Sequence, residues 1–140
     1  MQLREFMQSP AYTCSPDTTL EGAAREMEAH NVGSLVVTGI DDRIVGILTD
    51  RDLALSLAHH RDAATLVKAV MSINVVTIPD DASLDEAASA MDSRGVRRLP
   101  VADGLGHPVG IICLDDLYRY LTQETITLAG AVRAQGLPSV

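Results

Sequence analysis

A duplication constrains this chain more than any other feature. Met7, Leu20, Val32, Gly46 and Asp52 recur 64 positions later, without a gap, as Met71, Leu84, Val96, Gly110 and Asp116. A repeat of that length implies two equal supersecondary units, each hiding its apolar face against its twin. A site built by one unit then has a counterpart in the other, and positions where the counterparts differ mark where function has diverged.

The order of signals is the same in both copies. An extended piece, Tyr12-Thr13-Cys14 or Val75-Val76-Thr77-Ile78, runs into a turn at Ser15-Pro16-Asp17 or Pro79-Asp80-Asp81. A helix start follows: Ser83-Leu84-Asp85-Glu86 is a capping box, and Thr18-Thr19-Leu20-Glu21 offers the same chemistry. Leu20, Ala23, Ala24 and Met27, and likewise Leu84, Ala87, Ala88 and Met91, have the spacing of one apolar helical stripe. Two hairpins come next, 34–38 with 44–48 and 99–102 with 109–112, joined by Gly- and Asp-rich loops. A second helix opens near Asp50 and Leu114, with Leu53 and Leu57 matching Leu117 and Leu121. The pattern is β-α-β-β-α, twice. Expected boundaries are 1–61 for repeat 1, 62–70 for a short helical connector, 71–124 for repeat 2 and 125–140 for a partly disordered tail.

Composition narrows the partners. Apolar residues make up 46% of the 140, almost all aliphatic, which suits a globular core. No apolar run approaches the ~18 residues of a membrane helix, and the N-terminus lacks a signal-peptide core. A cytoplasmic protein without membrane attachment is expected. The net charge of -8 disfavours nucleic-acid polymers, while a small anion needs only a local positive patch. Two cysteines are too few for a disulfide framework, and reduced thiols are expected. The four histidines are isolated or, at His59-His60, badly splayed for chelation, so no metal site is expected. No nucleophile-base pair, P-loop or paired catalytic carboxylates stand out, so the chain reads as a binding module without catalytic residues or a catalytic cofactor.

The stretches Gly46-Ile47-Leu48-Thr49-Asp50-Arg51-Asp52-Leu53 and Gly95-Val96-Arg97-Arg98-Leu99-Pro100-Val101, set in this duplicated frame, resemble a tandem pair of CBS domains, the Bateman module. The resemblance covers Met7 to Gln123 and implies an α+β fold, two repeats packed sheet to sheet with pseudo-two-fold symmetry. It also implies a regulatory adenosine ligand (AMP, ADP, ATP or S-adenosylmethionine) in one or both of two clefts, a homodimer, and an unknown regulated protein acting in trans. In the first cleft, Asp52 is expected to take the ribose hydroxyls and Thr49 the ribose or phosphate, with Thr77, Ile78, Pro79 and Val96 walling the adenine and Arg97 and Arg98 on phosphate. In the second, Asp116 keeps the ribose role but Cys113 replaces Thr49, opposite Thr13, Cys14, Val32 and Gly33. Gly33 and Ser34 stand where repeat 2 has its arginines, so this cleft is expected to be weaker or to suit a less anionic ligand. Two alternatives remain at this point. One is an assembly module with empty sites; the other is a redox-linked sensor in which Cys14 and Cys113 face each other.

Overall fold

Turns, caps and apolar spacing set the elements, and the duplication sets their arrangement. The computed structural model describes residues 2–134. Repeat 1 contains β1 (Thr13–Cys14), α1 (Leu20–His30), β2 (Ser34–Thr38), β3 (Ile44–Thr49) and α2 (Asp50–Ala58). Repeat 2 contains β4 (Ile78–Pro79), α3 (Leu84–Arg94), β5 (Arg98–Ala102), β6 (Pro108–Cys113) and α4 (Leu114–Ala134). In each repeat the first strand pairs parallel with the second, which pairs antiparallel with the third, giving the sheets β1-β2-β3 and β4-β5-β6.

At the starts of α1 and α3 only the hydroxyl half of the expected capping boxes forms, and in α1 the cap is Thr19, with Gly22 and not Glu21 three residues on. The Thr19 hydroxyl accepts from the Gly22 N–H at 3.0 Å, and the Ser83 hydroxyl from the Glu86 N–H at 3.1 Å. Of the apolar stripes, Ala23, Met27, Ala87 and Met91 are buried, but Ala24 and Ala88 are exposed. Each lies at the edge of its stripe, and Ala88 turns toward a groove shared with α4. Leu117 is buried, whereas Leu57 and Leu121 are largely exposed, so the expected leucine stripe of each closing helix meets the core only near its start. Helix α4 continues past Glu124 to Ala134; the remainder of the expected tail, 135–140, lies outside the described residues.

Alternation along the middle strands separates two environments. Leu35 and Val37, and Leu99 and Val101, point into the helix-side cores. Val36 and Pro100 point the other way, belong to neither core, and are still fully buried. A sheet buried on both faces needs a second layer, which the other repeat supplies.

The opening segments are exchanged. Leu3, Phe6 and Met7 pack into the core of repeat 2, and Val67, Val70 and Met71 into that of repeat 1. The Leu3 N–H donates to the Ala82 carbonyl at 3.0 Å, and Gln8 and Ile111 exchange two backbone bonds at 2.9 and 3.0 Å. On the other side the Val67 N–H donates to Thr18, and Ser72 and Ile47 exchange bonds at 3.0 and 3.1 Å. The connector is therefore part of the repeat 1 core, its helical character limited to the 3-10 turn Val67–Ala69. Glycine is required where these straps cross: a Cβ on Gly110 would lie 2.8 Å from the Gln8 carbonyl, and one on Gly46 3.0 Å from that of Ser72.

One asymmetry comes from a single imino acid. In repeat 1 the Val36 N–H donates to the Tyr12 carbonyl at 3.0 Å, and Thr13 pairs with Val36. The counterpart of Val36 is Pro100, which has no N–H. Pairing in repeat 2 therefore starts one residue later, at Ile78 with Val101. The Val76 carbonyl, counterpart of that of Tyr12, loses its donor.

Candidate functional site

The corners where β3 meets α2 and β6 meets α4 are built alike. The first helical N–H of α2, on Asp50, donates to the Gly33 carbonyl at 2.9 Å; that of α4, on Leu114, donates to Arg97 at 2.8 Å. Each bond ties a helix N-terminus to the turn that precedes the neighbouring strand. At the first corner a reciprocal capping box forms: Asp52 Oδ2 accepts from the Thr49 N–H at 2.9 Å, and the Thr49 hydroxyl accepts from the Asp52 N–H at 3.2 Å. At the second, Asp116 Oδ2 accepts from the Cys113 N–H at 3.0 Å, and the reciprocal position holds a thiol, a weak acceptor.

A cavity of about 580 Å3 opens at the junction of the repeats. Its walls are the end of β3 with Ile47, Thr49 and Arg51, the strap from Met71 to Val76, and the Val96-Arg97-Arg98 corner with Pro100. Three arginines and no carboxylate line it, in a chain of net charge -8. Thr49, Val96, Arg97 and Arg98 come together here as the sequence implies. Asp52 stands half-buried one turn into α2, outside the lining, and one of its two oxygens is already engaged by the cap.

Thr77, Ile78 and Pro79 are elsewhere. The Ile78 side chain is in the core of repeat 2, and all three border a separate depression with Asp80, Asp81 and Asp103. The wall expected from them is made instead by the residues just before, 71–76, because the exchanged strap runs across the sheet at that point. Arg51 is a lining residue that the sequence reading did not single out, although it is the cation within the Thr49-to-Asp52 motif. The strap was not legible, since it acts through a long-range crossing.

A second cavity, about 380 Å3, is lined by Gln8, Arg97, Arg98, Cys113, Leu114, Asp115, Asp116 and Arg119. Cys113 and Asp116 lie here as expected, but Thr13, Cys14, Val32 and Gly33 are not among its walls. Thr13 is exposed, Val32 packs on the repeat 1 core, and Cys14 lies inside that core. The two thiols are both free and do not face each other across one cleft: Cys14 packs with core aliphatics, and Cys113 lines the cavity beside Arg98. Burial and then the Glu26 carboxylate push the Cys14 thiol up to about 11, which makes it inert. Burial also raises Cys113, with Asp116 adding to it and Arg98 opposing. The expected loss of positive charge is only partial. A Cβ on Gly33 would meet Arg98 Nη2 at 3.0 Å and Asp50 Oδ2 at 3.1 Å, so the arginine of repeat 2 occupies the room beside the bare glycine of repeat 1. Arg119 forms an ion pair with Asp116 at 2.7 Å, engaging the second oxygen of that carboxylate.

Among the described residues no group of three or more His, Cys, Asp or Glu side chains is placed to hold a metal ion, and no helix is long and apolar enough to cross a membrane. His30 stacks on Tyr12 at 3.9 Å between ring centroids and pairs with Glu26.

The CBS domain family model matches residues 3–59 and 67–123, two copies offset as the repeat is. The chain is 38% identical over 117 residues to CBS domain-containing protein YhcV of Bacillus subtilis, covering 82% of this chain and 81% of that protein. It is 33% identical over 125 residues to Hypoxic response protein 1 of Mycobacterium tuberculosis, covering 88% and 87%. Its fold superposes with a TM-score of 0.81, at 25% identity, on the CBS domain pair of protein MJ0100 in complex with 5'-methylthioadenosine and S-adenosyl-L-methionine, covering 89% of this chain and 98% of that one. Repeat frame, sheet topology and relatives agree, and the chain belongs to the CBS-domain family as a tandem CBS pair.

Proposed function

We propose that this chain is a regulatory module that binds an adenosine nucleotide in the larger cavity and passes the bound state to a partner in trans. The observation that carries the reading is the cavity itself, a recess between the repeats whose ionisable walls are three arginines in an otherwise acidic protein. Phosphates suit the Arg97 and Arg98 guanidinium groups. The Val76 carbonyl, left without a donor by Pro100, suits an exocyclic amine, and Ile73, Val75 and Val96 suit the faces of a purine. Asp52 offers one oxygen, Oδ1, to a ribose hydroxyl, because Oδ2 is held by the Thr49 N–H. The MJ0100 pair, a relative of the same fold, holds adenosine compounds. A cytoplasmic homodimer, joined through the exposed apolar residues of α2 and α4, completes the proposal.

Calorimetric titration with AMP, ADP, ATP, S-adenosylmethionine and NAD tests it. Asp52→Asn keeps the cap acceptor and removes the ribose acceptor, so the tightest ligand weakens about 10-fold or more while the melting temperature holds. Arg97→Gln with Arg98→Gln weakens AMP and ATP far more than adenosine. If no nucleotide binds at millimolar concentration, the sensor reading fails and an assembly role replaces it.

A further inference from the structure

Arg97 and Arg98 line both cavities. No other ionisable residue does, and the pseudo-symmetric pair that could have served the second cavity is Gly33-Ser34. With the two arginines counted, the larger cavity has three arginines and no acid, and the smaller has three arginines against two aspartates. Without them the larger keeps Arg51, and the smaller holds one arginine against two aspartates. That remaining arginine, Arg119, is already paired with Asp116 at 2.7 Å. Arg98 is placed to turn either way: its guanidinium lies against Gly33 at the first helix corner, and it also reaches Cys113.

We propose that the two cavities share one cationic pair, so that the chain holds one phosphate-bearing ligand at a time and an anion in either cavity lowers the affinity of the other. The inference rests on the nucleotide reading above and adds the sign of the coupling between sites. Coupling of this kind is reciprocal, because it is a free energy that belongs to both ligands. A guanidinium drawn onto a phosphate in the larger cavity leaves the smaller with a net negative wall, which repels a second phosphate and tolerates an uncharged nucleoside.

The test is calorimetric titration of the full chain with AMP and, separately, with adenosine at low ionic strength. AMP should fill one equivalent and then a second about 10- to 100-fold more weakly, the worth of charged hydrogen bonds lost. Adenosine, which carries no phosphate, should show a much narrower gap between its equivalents than AMP does. Raising salt should narrow the AMP gap, because screening weakens the repulsion. In Arg98→Gln both AMP equivalents should weaken together. Two AMP equivalents of equal affinity would overturn the sharing and leave the nucleotide reading intact. A gap for adenosine as wide as that for AMP, or an Arg98→Gln effect confined to one equivalent, would overturn it as well. If neither probe binds, both readings fall.

Discussion

Leu3→Ala should unfold the wrong repeat, as judged by sequence order. Leu3 is 0% exposed and sits among Ile78, Ala87, Leu99 and Ile112 of repeat 2, far along the chain. Truncation removes three carbons, worth about 2.4 kcal/mol of transfer at ~0.8 per carbon. An uncollapsed cavity adds about 1–2 kcal/mol, and because the strap can relax toward solvent the lower end applies, roughly 3 kcal/mol in all. For a 140-residue chain that corresponds to a fall of about 10 °C in Tm. The location is the sharper readout. Amide exchange should accelerate first at Leu99, Val101 and Ile112, and at Ala82 and Ile111 where the strap is bonded, before Leu35, Val37 and Leu48 respond. A loss below about 1 kcal/mol would show that the strap contributes little to the core. Faster exchange confined to repeat 1 would refute the exchanged packing altogether.

Two further outcomes follow from the same structure. Pro100→Val returns the N–H that Val36 supplies in repeat 1, so the amide at position 100 should gain exchange protection and stability should rise by about 0.5–1.5 kcal/mol. Nucleotide affinity should fall in the same variant as the Val76 carbonyl becomes occupied; unchanged affinity would remove that carbonyl from the site. Cys14 gives a pH signature: its thiol goes from an ordinary 9.0 to about 11 in the fold, so the native state keeps a proton that the unfolded chain releases. Its stabilising contribution is complete below about pH 9 and is lost as pH rises toward 11, so the difference in stability between wild type and Cys14→Ala, followed by urea unfolding, should shrink across that window. A difference flat from pH 8 to about 11 would contradict the burial of this thiol.

Local chemistry was legible in the sequence, and long-range placement was not. Ser83 caps its helix as its spacing implies, a threonine caps α1 one residue from the Thr18–Glu21 spacing, and both hairpins lie within a residue of expectation, because these elements depend on neighbours a few positions away. The corner residues Thr49, Val96, Arg97 and Arg98 meet because the duplication fixes two equal units. The straps 3–9 and 67–73 escaped notice, since nothing within either segment says which repeat will bury it. That single crossing moved the expected wall from Thr77–Pro79 to the residues before it, while Cys14 turns into the repeat 1 core from β1. Ala24 and Ala88 fell on the outside because alanine satisfies a stripe on either side of its edge. The extension of α4 was readable: no proline or strong stop intervenes between Glu124 and Gly136. Pro100 was equally visible, and its effect on register follows from its chemistry alone.

The exchanged straps also set an order of assembly during synthesis. When the ribosome has released residues up to His60, repeat 1 has its strands and helices but still waits for Val67 and Met71 to close its core. That wait is short. The strap ahead of repeat 1 faces the opposite situation, because Leu3 and Met7 are made before that repeat but find their pocket only after Ile112 and Leu117 have been made. The strap of Leu3 and Met7 is thus made before both repeats and is among the last parts to settle, and its docking reports that both repeats are complete. A nascent chain truncated before α4 would display Leu3, Phe6 and Met7 as an unclaimed apolar stretch, the kind of signal that chaperones and proteases recognise.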